Sequence, residues 1–122
     1  MSKPTKPAIL ICDDEEGIRE SFKLILNDNY QLKFANNGIE ALDMLKSFTP
    51  DLMLLDIKMP KLHGMEILKK VKQLKPKLPV IIVTGYQSVE MAQEALKLGA
   101  ADYIPKPFES RLLKASIDNS LR

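Results

Sequence analysis

Three apolar runs of strand length set the framework of this chain: Ala8-Ile9-Leu10-Ile11-Cys12, Leu52-Met53-Leu54-Leu55 and Val80-Ile81-Ile82-Val83, the last completed by Thr84 as a strand over 80–84. Unbroken runs like these read as strands buried on both faces, as inside a parallel sheet. Between them apolar residues recur at helical spacing instead. A helix is expected from Glu16 to about Asn27, with Ile18, Phe22, Ile25 and Leu26 on its inward stripe. A second runs from Ile39 to Ser47 with Ile39, Leu42 and Leu45 inward, and a third from Met65 to Leu74 with Leu68, Val71 and Leu74 inward. Tyr30 to Ala35 alternates, as an edge strand covered mostly on one side would. Val89 to Leu98 reads as a fourth helix, stopped by Gly99 in a C-cap position. A short strand over 101–104, a rigid turn Pro105-Lys106-Pro107-Phe108 and a closing helix from Glu109 follow, with Leu112, Leu113, Ile117 and Leu121 facing the core.

Five strands alternating with five helices make an α/β fold. Right-handed crossovers and burial of both sheet faces turn it into a doubly wound parallel sheet. The expected strand order is the flavodoxin-like 2-1-3-4-5, which sets the first and third strands side by side at the switch point. Residues 1–6, rich in proline and lysine, read as a flexible lead, and 7–122 as one domain.

Composition narrows the class. The 122 residues contain 45% hydrophobic and 28% charged side chains, which suits a globular chain with a single core and excludes disorder. The formal net charge of +2 is too near balance to argue for nucleic-acid or membrane binding. No apolar run approaches a membrane span, and the start lacks the apolar centre of a signal peptide. The single cysteine, Cys12, lies in an apolar run and has no partner for an internal disulfide, which fits a reducing, cytoplasmic setting and an inert buried thiol.

The polar residues that end the strands carry the chemistry. Asp13 and Asp14 follow the first strand and Asp56 follows the third, at the sheet edge where open α/β folds bind ligands. Alone, Asp13-Asp14-Glu15-Glu16 is equally explained as an acidic helix N-terminus favoured by the helix dipole. With Asp56 beside it, three carboxylates converge, and a hard divalent cation, Mg²⁺ or Mn²⁺, resolves their repulsion. The residues point to Asp14 and Asp56 as direct ligands, Asp13 acting largely through water, and the carbonyl of Lys58 as a further ligand. Thr84 brings a hydroxyl to the same edge from the fourth strand, and Gly85 leaves room for a bulky anion. Lys106, held between two prolines after the fifth strand, can deliver a point charge to phosphate oxygens. Together these groups read as a nucleophilic carboxylate, Asp56, equipped to take a phosphoryl group.

The motifs Cys12-Asp13-Asp14-Glu15, Leu54-Leu55-Asp56-Ile57-Lys58-Met59-Pro60, Val83-Thr84-Gly85 and Tyr103-Ile104-Pro105-Lys106-Pro107-Phe108, in this order and spacing, resemble the receiver domain of two-component response regulators (CheY-like). The resemblance covers essentially residues 7–121. It implies that Asp56 takes its phosphoryl group from a sensor kinase's phosphohistidine, directly or through a phosphotransfer protein. It implies that Asp13 and Asp14 hold Mg²⁺, that Thr84 and Lys106 contact the phosphoryl oxygens, and that the Lys106–Pro107 bond is cis. Thr84 and Tyr103 are the implied switch pair, with output through the fourth helix, fifth strand and fifth helix. Such a domain is a switch that catalyses its own phosphoryl transfer and slow dephosphorylation, not a conventional enzyme. Lys58 and Tyr86 are expected to tune access of hydrolytic water, and His63, the only histidine, reads as a surface residue.

The rival class is a receiver-like interaction module that works without phosphorylation, which would require a broken pocket; every key position is filled here. A flavodoxin-like FMN binder needs a Ser/Thr/Gly-rich loop where Asp13-Asp14-Glu15 would repel phosphate. An aspartate-nucleophile phosphatase needs an acid two residues after its nucleophile, where Lys58 stands. The sequence ends with the last helix, so an effector is expected either in cis or as a downstream protein, and a phosphorylation-dependent homodimer stays open. Residues 88–103 resemble, at family level, receivers attached to transcription-activating ATPases, which favours an excised module.

Overall fold

The computed structural model describes residues 6–58, 64–85 and 88–122. The elements alternate as β1 (Ala8–Cys12), α1 (Glu16–Leu26), β2 (Gln31–Ala35), α2 (Gly38–Leu45), β3 (Leu52–Leu55), α3 (Gly64–Leu74), β4 (Val80–Thr84), α4 (Val89–Lys97), β5 (Asp102–Pro105) and α5 (Ser110–Leu121). The strands form one parallel sheet in the order β2-β1-β3-β4-β5, the flavodoxin-like arrangement expected from the pattern. The expected lead, except Lys6, and both His63 and Tyr86 lie outside the described residues.

Strand side chains alternate between two cores because successive residues point to opposite faces. Leu10, Cys12, Met53, Leu55, Val80 and Ile82 meet α2, α3 and α4 through Ala41, Leu45, Ile67, Leu68, Val71 and Ala95. Ile9, Ile11, Leu52, Leu54, Ile81 and Val83 meet α1 and α5 through Phe22, Leu26, Leu113 and Ile117. Burial on both faces explains why these strands read as continuous apolar runs. Local signals set the helix starts: the Asn37 side chain accepts from the Glu40 amide at 2.8 Å, and Ser88 accepts from the Met91 amide at 3.2 Å. Gly99, with φ of +105°, closes α4 in the left-handed conformation its position suggested.

Three expected core positions are corrected. Ile39 is 58% exposed, Leu74 45% and Leu112 60%. Gly38, Ala41 and Leu45 form the buried stripe of α2, so Ile39 is turned one residue's rotation away from it. Ala41 supplies that stripe with little hydropathy to announce it. In α3 the buried residues are Gly64, Met65, Ile67, Leu68 and Val71, and Leu74 is the final residue, where the helix leaves the sheet. In α5, Leu113, Ser116 and Ile117 face inward and Leu112 lies beside that stripe.

Gly64 fixes where α3 begins relative to the end of β3. A Cβ there would lie 2.2 Å from the Ile57 Cα and 2.5 Å from its carbonyl oxygen, so the helix approaches the backbone directly after Asp56. Backbone cannot retreat as a flexible side chain can. Gly64→Ala is therefore expected to lower unfolding free energy in urea by about 1–3 kcal/mol. Gly17→Ala, where a Cβ meets nothing within 4 Å, should instead be neutral or stabilising by up to about 1 kcal/mol. Equal effects at the two sites would refute this account of the α3 contact.

Candidate functional site

Parallel register places the acidic groups. Cys12 pairs with Leu55, so the residues that follow them, Asp13 and Asp56, emerge side by side at the carboxyl edge. Backbone bonds hold both in place: the Asp56 amide donates to the Cys12 carbonyl at 3.0 Å, and the Asp13 amide to that of Ala35 at 3.2 Å. The Arg19 guanidinium, from the first turn of α1, donates to the Asp13 carbonyl at 2.9 Å. Asp13 and Asp56 are both buried, while Asp14 and Glu15 are exposed. Carboxylate oxygens of Asp13, Asp14, Glu15 and Asp56 all lie within 4.8 Å of one another.

Lys106 completes the cluster from the far side of the sheet. Its ammonium donates to Asp13 Oδ2 at 2.7 Å and Asp56 Oδ2 at 2.9 Å, and reaches Glu15 Oε1 at 3.4 Å. The turn carrying it is anchored by its amide, which donates to the Thr84 carbonyl at 2.8 Å, and includes the expected cis Lys106–Pro107 bond. Phe108 stacks on Phe22 of α1 with ring centroids 5.1 Å apart, tying the same turn to α1. The remaining oxygens of the two buried carboxylates accept backbone amides, Asp13 Oδ1 from Glu15 at 2.9 Å and Asp56 Oδ1 from Lys58 at 2.8 Å. Every oxygen of the buried pair thus meets a donor, as buried carboxylates require.

The response regulator receiver domain family is matched over residues 9–118. The chain belongs to that family. It is 39% identical over 115 residues to the response regulator MprA of Mycobacterium avium, covering 93% of this chain and 50% of MprA. It therefore spans about half the length of the curated relatives it matches. Among solved structures, a CheY-like receiver domain protein from Methanospirillum hungatei superposes with a TM-score of 0.91 at 37% identity, covering 96% of this chain and 94% of that one. NtrX from Brucella abortus superposes with a TM-score of 0.89 at 32% identity, over 96% of this chain and 27% of NtrX.

The receiver's other expected residues lie where the strand order puts them. Thr84 ends β4, fully buried, opposite Pro105 of β5. Tyr103 lies on β5 opposite Ile82 and packs into the core that contains Met91, Ala95 and Leu98 around α4. Burial, and then the charge of Asp56, raise the Tyr103 phenol above its ordinary pKa. Burial chiefly, with Asp13 and Asp56 adding, pushes the Cys12 thiol up to about 12, which makes it inert. For Asp13, burial first and then the charge of Asp56 raise the pKa, and together they outweigh the lowering by Lys106 and the Glu15 amide. Burial acts downward on Lys106, but its bonds to Asp13 and Asp56 outweigh that and raise it.

Sequence reasoning did not anticipate three parts of this arrangement. The contact of Glu15 with Lys106 and the Phe22–Phe108 stack join residues far apart in sequence, and the hold of Arg19 on the Asp13 carbonyl spans six positions from the end of β1 into α1. A fourth, Ser116 Oγ donating to Asp102 Oδ2 at 2.5 Å, ties α5 to β5. The only sequence signal for it was a serine on an otherwise apolar helical stripe.

Lys106→Met leaves Asp13 and Asp56 buried without their shared cation. In chelator at mildly alkaline pH the variant should unfold about 3 kcal/mol more easily, the scale for an uncompensated buried charge. The folded-state pKa of Asp13 is already above its unfolded value, and losing Lys106 removes an influence that lowers it. The deficit should therefore be full above that raised pKa and shrink as pH falls through it. Urea titrations giving the same deficit in mildly acidic buffer would contradict this.

Proposed function

We propose that Asp56 of this receiver domain is the phosphoacceptor of a two-component response regulator. The observation that carries the reading is the Lys106 ammonium shared by Asp13 and Asp56 within a cluster of four carboxylates. A nucleophile, a cation and an all-oxygen donor set meet at one sheet edge.

An Asp56 oxygen attacks phosphorus of a phosphohistidine on a sensor kinase or phosphotransfer protein. The new O–P bond forms as the P–N bond breaks, and the electron pair leaves with the imidazole, which departs neutral because its other ring nitrogen already carries a proton. Lys106 turns its ammonium from the Asp56 carboxylate to an oxygen of the arriving phosphoryl group. Thr84 donates its hydroxyl to a second oxygen. The acidic donor set is hard and anionic and suits Mg²⁺ or Mn²⁺, which Asp13, Asp14, Asp56 and the Lys58 carbonyl would hold. When bound, that ion supplies positive charge that lowers carboxylate repulsion and offsets charge on the phosphoryl oxygens. Aspartyl phosphate is an acyl phosphate, whose hydrolysis resets the signal.

The output follows from what Thr84 and Tyr103 touch. Movement of the Thr84 hydroxyl toward the phosphoryl group opens space that the Tyr103 ring fills beneath α4, biasing a two-state surface of α4, β5 and α5. Val89 and Leu96 on α4 and Leu112 on α5 are exposed apolar side chains suited to an output contact. That contact is with an effector in cis, a downstream protein or a second copy, not with nucleic acid or membrane. Among the described residues no helix is long and apolar enough to cross a membrane, and a cytoplasmic regulator is the setting we assign. Residues 7–122 act as the receiver unit and 1–6 as its lead.

Incubation with Mg²⁺ and acetyl phosphate, followed by intact mass measurement, should add one phosphoryl group to the wild type and none to Asp56→Asn. An unmodified wild type would favour an interaction module that works without phosphorylation. Lys58 is exposed and its amide donates to Asp56, which supports a role for its side chain in governing the approach of water. Lys58→Ala should change the decay half-life of the phosphorylated protein by roughly threefold or more while leaving the yield nearly unchanged. An unaltered half-life would remove that role.

A further inference from the structure

Glu15 is the N-cap residue of α1, yet its side chain makes no capping hydrogen bond. Its amide is instead fixed by Asp13 Oδ1 at 2.9 Å, and its carboxylate reaches the Lys106 ammonium at 3.4 Å. The Glu15 side chain is 63% exposed, whereas those of Lys106, Asp13 and Asp56 are nearly enclosed. Lys106 therefore has two carboxylates on its interior side and one toward solvent.

This arrangement matters because two cations need the same oxygens. The Lys106 ammonium lies on Asp13 Oδ2 and Asp56 Oδ2, while backbone amides lie on the partner oxygens. A divalent ion entering the carboxylate cluster competes with the ammonium for the same pair. A lysine with nowhere else to go would be expelled into water or would hold the ion out. A carboxylate at the rim gives it a second resting place within reach of a long, flexible side chain.

We infer that Glu15 is a positioning residue that receives Lys106 when a divalent cation takes the Asp13–Asp56 edge, so that ion and ammonium occupy the site together. The inference rests on the metal site proposed above. It concerns neither helix capping nor overall stability, since an exposed ion pair of this length contributes little to folding.

Binding of Mn²⁺ alone, followed by calorimetry and by loss of the free-ion EPR signal, tests this without any phosphoryl donor. Glu15→Gln should weaken Mn²⁺ binding by about fivefold to tenfold, a coupling of ordinary size between two sites. Glu16→Gln, which removes the same charge from the next residue, should change it by less than about twofold. The unfolding midpoint of Glu15→Gln in chelator should match the wild type. In a Lys106→Met background, with Lys106→Gln as a second background should the first not fold, Glu15→Gln should have almost no effect. An equal loss with and without Lys106 would make Glu15 a ligand or a source of bulk field and overturn the inference. So would a loss no larger than that of Glu16→Gln in a protein that binds Mn²⁺. A wild type that binds no Mn²⁺ would overturn both this inference and the metal site, whereas normal Mn²⁺ coupling with no phosphoryl adduct would overturn only the role of Asp56.

Discussion

One ammonium between two buried carboxylates governs this domain. Asp13 and Asp56 end adjacent parallel strands, and burying either carboxylate without a partner would cost several kcal/mol. Lys106 supplies that partner from the turn after β5, and β5 lies two strands beyond β3. The cluster therefore couples both halves of the sheet. In the phosphoacceptor role proposed for Asp56, the cation that stabilises the resting site is also the group Asp56 must share when its charge changes.

Much of the surrounding structure positions that one cation. The cis turn after β5, its amide bond to the Thr84 carbonyl and the Phe22–Phe108 stack fix the backbone from which Lys106 extends. Arg19 and the Glu15 amide fix Asp13, and the Lys58 amide fixes Asp56. On the opposite side, Tyr103 links the site to the α4 core, and Ser116 links β5 to α5 through Asp102. Any change in charge at Asp56 is thus felt at Lys106 and Tyr103, which lie on one strand and the turn that follows it. On the reading proposed for Asp56, this is the route by which a local electrostatic event biases a surface formed by α4, β5 and α5.

The apolar pattern made the sheet legible because strands buried on both faces must be apolar at every position, whatever their neighbours. β1 and β4 consequently have the boundaries expected of them, and the glycine after α4 takes the left-handed conformation its position suggested. Helix faces were less legible. Helix rotation decides whether Ile39 or Ala41, two residues and about 200° apart on α2, is buried, and the choice depends on how closely α2 approaches α3, where Gly38 faces Ile67. Hydropathy favours the isoleucine; packing space favours the alanine.

Alone, the sequence determined the five-fold alternation of strand and helix, the strand-end positions of Asp13, Asp14, Asp56, Thr84 and Lys106, and the hard-anion character of the donor set. These follow from residue type and local period. Tertiary structure alone decided which oxygen meets which donor: that Lys106 bridges Asp13 to Asp56, that Glu15 turns from its own helix toward Lys106, and that Phe22 holds Phe108. Such contacts join residues up to 93 positions apart. Only parallel register and helix packing bring them to hydrogen-bonding range, and no local pattern records a distance of that kind.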